Sequence, residues 1–174
     1  MIEIKSFKNI NPTQWKEVKE IFFETSPRKS FQSVSEKDSF LYQYLEYYSD
    51  HYPGYFLIAI YKNKAIGYIC ASPDSNSDVF LLDNLPHFKL FQKYFIDFPA
   101  HLHINMSEAS QGLGVGSRLV SHLESLLQVK KGLHLITTPK AKNRSFYSKN
   151  GYSIEIIREY NGVELLFMGK SLKC

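Results

Sequence analysis

The sequence predicts an α/β (α+β) fold, in which helices and strands alternate along one domain spanning residues 1–174. Segments with apolar residues at helical spacing alternate with short apolar segments typical of strands. Asn161–Gly162 separates two such strand segments, and this dipeptide is the strongest short-range signal for a β-hairpin. A chain of 174 residues can bury a sizeable core without a disulfide or a metal.

The first half of the chain predicts a strand, two helices and a hairpin. Ile2–Phe7 is a weak first strand, and Asn11–Pro12 combines a helix cap with a proline at the first helical position. A second helix begins at Ser35 and ends at Pro53–Gly54. Asn63–Lys64 is a turn between the next two strands. The stripe of the second helix expected to face the core contains Phe40, Leu41, Tyr44, Leu45 and Tyr48. The two strands of the hairpin are Tyr55–Tyr61 and Ala65–Ala71.

The second half predicts three helices among four strands. Phe80–Phe95 is a short helical segment, and Gly114–Leu127 is an amphipathic helix. A short helix opens at Pro139 and ends before Gly151, a suitable position for a left-handed residue. The inward side chains of the amphipathic helix are expected to be Leu119, Val120, Leu123, Leu126 and Leu127. The strands are Pro99–Met106, Leu133–Thr137, Tyr152–Glu159 and Val163–Met168. The predicted order is β-α-α-β-β-(α)-β-α-β-α-β-β.

Composition restricts the class of protein. The chain has 21 basic and 17 acidic residues, and because the basic residues are scattered, we expect no nucleic-acid partner. No apolar run approaches membrane-spanning length, and the N-terminus lacks a basic-then-apolar leader. Two cysteines, Cys70 and Cys174, cannot form a disulfide framework, and the apolar surroundings of Cys70 favour a core thiol. We therefore expect a reduced, cytoplasmic protein that does not associate with membranes.

Three glycines between a strand and a helix mark the segment that carries chemistry. Gly112, Gly114 and Gly116 let the backbone approach a ligand, and the helix start supplies unpaired N–H groups. Together these features favour an anion, above all a phosphate group. A plain flexible turn is the alternative. A P-loop is excluded because no lysine follows the glycines, and the dinucleotide fingerprint because the spacing is G-x-G-x-G.

Two motifs resemble those of the GNAT superfamily of N-acetyltransferases. Gln111–Gly116 has the form Q-x-x-G-x-G, and Asn143–Tyr152 has the form N-x-x-x-Y-x-x-x-G-[FY]. The resemblance implies a mixed, mostly antiparallel, twisted sheet of about six or seven strands flanked by helices. Within the superfamily, Pro99–Met106 resembles the acetyltransferase-like domain attached to some O-GlcNAc hydrolases. Relatives often have Asp where Asn105 stands, so a carboxylate is missing here.

The resemblance implies acetyl-CoA as cosubstrate and assigns its binding residues. The backbone around Asn105 and Met106 would pair with the pantetheine arm, and the glycine loop would hold the pyrophosphate. Tyr147 would donate a proton to the departing thiolate. The full set of cofactor-binding residues is Asn105, Met106, Gln111, Gly112, Leu113, Gly114, Val115, Gly116, Ser117, Asn143 and Tyr147.

The amine acceptor must lose a proton, and His103 is the predicted catalytic base. An imidazole suits this task at neutral pH. His101 and Glu108 are further candidates, a water-relayed base is an alternative, and both histidines could instead be structural. His101 and His103 are too few ligands for zinc, so we expect no metal.

The predicted function is acetyl-CoA-dependent N-acetyl transfer, directly to a primary amine of a small molecule or peptide. The alternative is a non-catalytic acyl-CoA-binding module that senses or recruits, which the absence of a carboxylate at Asn105 favours. Exposed sheet edges, common in this fold class, are compatible with a homodimer.

Overall fold

The structure is a computed structural model that describes residues 1–172, so Cys174 lies outside it. The chain divides into two compact units. The first contains Met1–Ala71 and His103–Leu123, and the second contains Ser72–Leu102 and the described residues after Leu123. Nothing in this division tests the prediction of one domain.

The strands form a seven-stranded mixed sheet of order β1-β2-β3-β4-β5-β7-β6, which confirms the predicted fold class. Within it, β4 and β5 are parallel, with Ala100 opposite Leu133 and His101 opposite His134. The pairs β1–β2, β2–β3, β5–β7 and β6–β7 are antiparallel. The strands are β1 (Ile2–Ser6), β2 (Phe56–Tyr61), β3 (Lys64–Ser72), β4 (Ala100–Met106), β5 (Gly132–Thr137), β6 (Ile154–Tyr160) and β7 (Val163–Ser171).

Local sequence signals fix several element ends. Asn11 caps the first helix, accepting from the Gln14 amide at 2.9 Å, and the Gln14 side chain accepts from the Asn11 amide at 3.2 Å. Asn161 and Gly162 have φ angles of 50° and 77°, as the hairpin requires, and Gly151 follows its helix with φ 89°. The helices are α1 (Pro12–Thr25), α2 (Val34–Leu41), α3 (Tyr47–His51), α4 (Val79–Asn84), α5 (Val115–Leu126) and α6 (Arg144–Lys149).

The predicted second helix is interrupted by a π-helical turn over Tyr42–Glu46, which joins α2 to α3. A π turn inserts extra backbone and rotates the faces on either side of it. Tyr47 is therefore buried, whereas Phe40 and Tyr44, predicted to face the core, remain half-exposed.

Two further predictions need correction. Leu126 is 44% exposed and Leu127 is fully buried. The last turn of α5 tightens, because the Leu127 amide bonds to the Glu124 carbonyl at 3.1 Å, and Leu127 takes the inward position. The predicted Phe80–Phe95 helix is α4 followed by 3₁₀ turns at Pro86–Leu90 and Gln92–Tyr94. In residues 1–172, none of the helices is both long enough and apolar enough to cross a bilayer.

Candidate functional site

The segment that leaves β4 is anchored before the glycines begin. The Ser107 amide donates to the Ile66 carbonyl of β3 at 3.0 Å. The hydroxyls of Ser107 and Ser110 lie 2.8 Å apart, and Ser110 is buried. These contacts close a short 3₁₀ turn over Glu108–Ser110. The loop that follows therefore starts from a defined position on the sheet. Ser107 and Ser110 were not among the residues that the sequence predicted for the site.

The glycine loop has an open inner surface. Gly112 and Gly114 have φ angles of 76° and 74°, in the left-handed region that side chains rarely adopt. A Cβ added at either glycine would meet no atom within 4 Å. Between them, Leu113 is exposed. The glycines are thus required by backbone conformation, and the space that their missing side chains leave is free for a ligand.

The first turn of α5 presents unpaired amides beside this space. The Arg118 amide makes a hydrogen bond to the Gly114 carbonyl at 3.2 Å, so Gly114 is the residue that precedes the helix. Glycine has no side-chain acceptor that could cap the helix. The amides of Val115, Gly116 and Ser117 come before Arg118 in the chain, so they have no partner carbonyl within the helix. They lie at the positive end of the helix dipole. Open space, unpaired amides and partial positive charge fit a pyrophosphate group.

Gln111 links the loop back to the strand. Its Nε2 donates to the Met106 carbonyl at 3.4 Å, which is a long contact, and the side chain itself is exposed. The Met106 side chain rests on Gly67 of β3, where an added Cβ would lie 2.2 Å from the Met106 sulfur and 3.1 Å from the Asn105 carbonyl. Gly67 is therefore a supporting position of the β4 end that sequence reasoning missed, although a glycine inside a strand pattern signals such close approach.

A hydrogen-bonded polar chain lies on the same strand. Asn105 Nδ2 donates to the Tyr68 hydroxyl at 2.7 Å and lies 3.3 Å from His103 Nε2. If both Nδ2 hydrogens are used in this way, Oδ1 is the oxygen that can accept a further hydrogen bond. Tyr68 is fully buried, and burial raises its pKa well above the usual value. The structure thus brings together two predicted site residues, Asn105 and His103, with a third that was not predicted.

His103 is neutral at physiological pH. Burial lowers its pKa to about 4, and the Tyr44 carbonyl, which raises the pKa, offsets this only in part. Its Nδ1 is buried and makes no hydrogen bond within the described residues. With Nε2 accepting from Asn105, the proton of the neutral ring belongs on Nδ1. Nε2 is therefore the atom that can accept a proton, once its hydrogen bond from Asn105 is broken, and the low pKa means that the added proton is held weakly.

Tyr147, the predicted proton donor, lies in the second unit on α6. It is 5% exposed, whereas the adjacent Phe146 is half-buried, so Tyr147 is the inward member of the pair. Burial raises the pKa of its hydroxyl well above the ordinary value, which keeps the group protonated. Asn143 is exposed, and its Nδ2 lies 3.5 Å from the Tyr147 hydroxyl. The two residues of the second motif are therefore neighbours.

The Tyr147 ring lies next to that of Tyr152, which is hydrogen-bonded to the ion pair of Glu124 and Lys170. The rings of Tyr147 and Tyr152 lie 6.1 Å apart, and the Tyr152 hydroxyl donates to Glu124 Oε1 at 3.3 Å. Lys170 Nζ bonds to the same carboxylate at 2.7 Å. Sequence reasoning found Tyr152 as part of a motif but missed Glu124 and Lys170, because nothing in their local patterns links α5 to β7.

The other candidate bases have different surroundings. His101 is 8% exposed, and its ring lies 4.8 Å from Phe88 and 5.2 Å from His134. Glu108 is exposed at the start of its 3₁₀ turn. Within residues 1–172, no cluster of three or more His, Cys, Asp or Glu side chains is arranged to hold a metal ion.

Solved structures share this fold. SsHAT has 17% identity and a TM-score of 0.74, and the match covers 99% of this chain and 98% of that one. An aminoglycoside 6′-N-acetyltransferase complexed with coenzyme A has 16% identity and a TM-score of 0.68, with 99% and 98% covered. The NatC complex bound to Gag peptide and CoA has 16% identity and a TM-score of 0.67, with 99% of each chain covered. At such identities the likeness establishes the fold.

The family follows from the sequence itself. The profile of the Acetyltransferase (GNAT) family matches residues 15–152 and so includes both motifs, the polar chain on β4 and Tyr147. A particular link to the domain of O-GlcNAc hydrolases stays a prediction. This chain belongs to the GNAT family of acetyltransferases, whose cosubstrate is acetyl-CoA.

Proposed function

We propose that this protein is an N-acetyltransferase that transfers acetyl directly from acetyl-CoA to a primary amine of a small molecule or peptide. One observation carries the proposal: the open glycine loop runs directly into the uncapped start of α5. Two structural relatives offer precedents for the two acceptor classes, an aminoglycoside N-acetyltransferase and a complex bound to a peptide.

When bound, acetyl-CoA supplies an acetyl group activated as a thioester. The amides of Val115, Gly116 and Ser117 bind its pyrophosphate, and Gln111 braces the loop against Met106. Asn105 Oδ1 accepts a hydrogen bond from the acceptor amine, because Tyr68 and His103 engage the Nδ2 side of the amide. This hydrogen bond orients the amine for attack.

Proton movement is assigned to two side chains. His103, neutral at pH 7, takes the proton that the attacking amine loses on Nε2, directly or through water, and its hydrogen bond from Asn105 Nδ2 breaks as it does so. Tyr147 donates its hydroxyl proton to the thiolate sulfur that leaves. The raised pKa of Tyr147 makes it a weak acid, so hydrogen bonding to the developing sulfur charge accounts for part of its contribution.

The test combines binding and turnover. Acetyl-CoA at about 100 times its Kd should stabilise the protein by about 2.7 kcal/mol, visible as a rise in Tm. Thiol release in the presence of an amine panel then reports transfer. Absence of any Tm shift with acetyl-CoA or CoA would contradict the proposal.

Replacing Tyr147 with Phe tests the proton donor. We expect kcat to fall by about 10- to 100-fold with the KM for acetyl-CoA unchanged, because only the leaving sulfur loses its partner. The matched control is Tyr152→Phe, which removes a neighbouring buried hydroxyl that bonds to Glu124. It should lower Tm and leave kcat within about twofold of the wild type. Equal kcat values in Tyr147→Phe and wild type would rule out the donor role.

A non-catalytic acyl-CoA-binding module is the second candidate function. The amide at Asn105 and the low pKa of His103 favour it, because neither group is a strong base. It predicts a Tm shift with acetyl-CoA and no thiol release above the spontaneous rate with any amine of the panel. The two functions therefore differ in turnover alone.

A further inference from the structure

Five aromatic rings form a connected group within the first unit, at the end of α1, in the loop before α2, at the end of α2 and in the π turn that follows it. Phe22 lies 5.1 Å from Phe23 and 5.5 Å from Phe40, measured between ring centroids. Phe31 lies 5.3 Å from Phe40, and Tyr44 completes the group at 4.9 Å from Phe40. We name these five residues the aromatic cluster. Four of them, all except the buried Phe22, are half-exposed.

Two cations of the chain already rest on these rings. The Arg28 guanidinium lies 4.7 Å from the Phe31 centroid and 5.6 Å from that of Phe40. Lys37 Nζ lies 4.6 Å from the centroid of Phe23. These distances are within the range of cation–π attraction. The surface of the cluster therefore favours positive charge.

Arg28 is held over the rings by a carboxylate. It pairs with Glu36, whose second oxygen accepts from the Gln32 amide at 2.6 Å. Glu36 also lies in the first turn of α2, where its amide donates to the hydroxyl of Ser33, the residue that caps the helix, at 3.1 Å. The Glu36 carboxylate thus lies near the aromatic faces with its charge paired to that of Arg28. Because the Arg28 charge is engaged by Glu36, a carboxylate ligand is a poor match here.

The aromatic cluster adjoins the polar chain on β4. The edge of Phe22 meets the His103 ring at a centroid distance of 6.4 Å and an interplanar angle of 81°. The backbone carbonyl of Tyr44 acts on the same imidazole. One ring, Phe22, therefore separates His103 from the half-exposed face of Phe40.

We propose that the aromatic cluster binds a second, cationic nitrogen of the acceptor, so that the preferred acceptors are diamines and polyamines. This inference rests on the proposed function and names its substrate class. The amine that attacks must be neutral, whereas the nitrogen on the rings stays protonated and gains cation–π attraction. Arg28 occupies the place of that nitrogen in the free protein and moves aside when the acceptor binds.

The experiment compares acceptors whose amine is carried by the same five-carbon chain. Rates of thiol release are measured with 1,5-diaminopentane, pentylamine and 6-aminohexanoate, which differ in the charge of the far end. We expect kcat/KM for the diamine to exceed that for pentylamine by about tenfold, the effect of a well-placed cation–π contact. The carboxylate compound should be the poorest of the three.

Variants of the cluster should change only the diamine reaction. Phe40→Leu and Phe31→Leu should lower kcat/KM for the diamine by about fivefold and leave pentylamine within about twofold. Arg28→Gln should lower the KM for the diamine, because the competing cation is gone. The matched control is Tyr61→Leu, which removes the ring under Lys62, 5.4 Å away, on the β2–β3 turn. It should alter none of these values.

Three results would overturn the inference: equal kcat/KM for diamine and pentylamine, a preference for 6-aminohexanoate that Arg28→Gln abolishes, or a diamine preference that survives both phenylalanine substitutions. Calorimetric titration with 1,5-diaminopentane separates this inference from the proposed function. Binding that Phe40→Leu weakens, without turnover of any amine, would support the cluster and contradict the transferase. Turnover of amines without diamine preference would do the reverse.

Discussion

His103, in the first unit, and His134, in the second, have different surroundings. Burial lowers the pKa of both, to about 4 and about 3 respectively. His134 is stacked between Phe95 and Phe167, at centroid distances of 4.6 Å and 4.9 Å, and its Nδ1 lies 2.6 Å from the Phe98 carbonyl. His103 instead meets Asn105 and the edges of two rings. The first environment is closed by stacking, and the second is polar and partly open.

The two histidines have similarly lowered pKa values but different neighbours, and the neighbours separate a histidine that packs among rings from one that belongs to a polar chain. His134 lies among the rings of Phe95, Phe167 and His101, so its ring serves packing. Its Nε2 makes no hydrogen bond within the described residues, and the same is true of Nδ1 of His103. His103 belongs to a chain of polar groups that contains the partly exposed amide of Asn105 and the Tyr68 hydroxyl. A lowered pKa alone does not separate the two cases, whereas the polar partners do.

The largest effect is expected for Gly114→Val, in the glycine loop. The substitution strains a residue with φ 74° and fills the free space of the loop, so we expect at least a 100-fold loss of acetyl-CoA affinity. Calorimetry or the Tm shift with acetyl-CoA measures the effect. Gly162→Val is the matched control, because Gly162 also has open space and φ 77° but lies in the β6–β7 hairpin. The assignment of the loop fails if both variants bind equally.

The next substitution, His103→Gln, tests the polar chain on β4. Glutamine can accept the Asn105 hydrogen bond but cannot take a proton at pH 7, so we expect kcat to fall by about 100-fold. The acetyl-CoA Tm shift should persist. In the wild type, the pH profile of kcat should decline toward pH 4, where the imidazole becomes protonated. An unchanged kcat in His103→Gln would leave His103 only the role of positioning Asn105.

His134→Phe tests the closed region through pH. Because the folded-state pKa of His134 is about 3, below the unfolded value of about 6.5, the unfolded chain binds more protons between these values. Stability is therefore full above about pH 6.5 and falls as the pH drops toward 3. The variant loses the bond to Phe98 and about 1–2 kcal/mol at pH 7, but its Tm should decline less steeply toward acid.

The control for that measurement is His51→Phe. His51 also stacks on a ring, Tyr47 at 4.3 Å, and contacts a carbonyl oxygen at 3.0 Å, yet it is exposed. Because its ring is exposed, its substitution should change Tm less than that of His134. Parallel curves for His134→Phe and wild type would show that the closed region does not govern acid stability.

Gly67→Ala should have the smallest effect. Its Cβ would meet the Met106 sulfur at 2.2 Å, but the flexible thioether can move, and the Asn105 carbonyl at 3.1 Å must yield only slightly. We expect a severalfold rise in the KM for acetyl-CoA and a change in Tm of a few degrees, because the end of β4 shifts. Identical KM values would show that β4 accommodates the methyl group without moving.

The elements that sequence predicted well depend on local chemistry. Asn11–Pro12 and Asn161–Gly162 specify a cap and a turn through their own backbone preferences, and the glycine loop followed from its position between strand and helix. The family motifs also identified Tyr147, which is the buried member of its pair.

The features that sequence missed depend on packing between distant segments. The π turn inserts extra backbone and so rotates a helical face, but no residue type in Tyr42–Glu46 predicts such a turn. Gly67 matters because Met106 lies on it, and Glu124 because Tyr152 and Lys170 reach it. Periodicity describes one element at a time and cannot reveal such partners.

The glycine loop has a consequence for divergence between relatives. The proposed phosphate site, made of main-chain amides, requires a particular backbone path and no particular side chains, so we expect Leu113 and Ser117 to accept substitution more readily than Gly112 and Gly114. Such a site tolerates neutral replacement at most of its positions. This tolerance accords with a fold that is shared at only 17% identity.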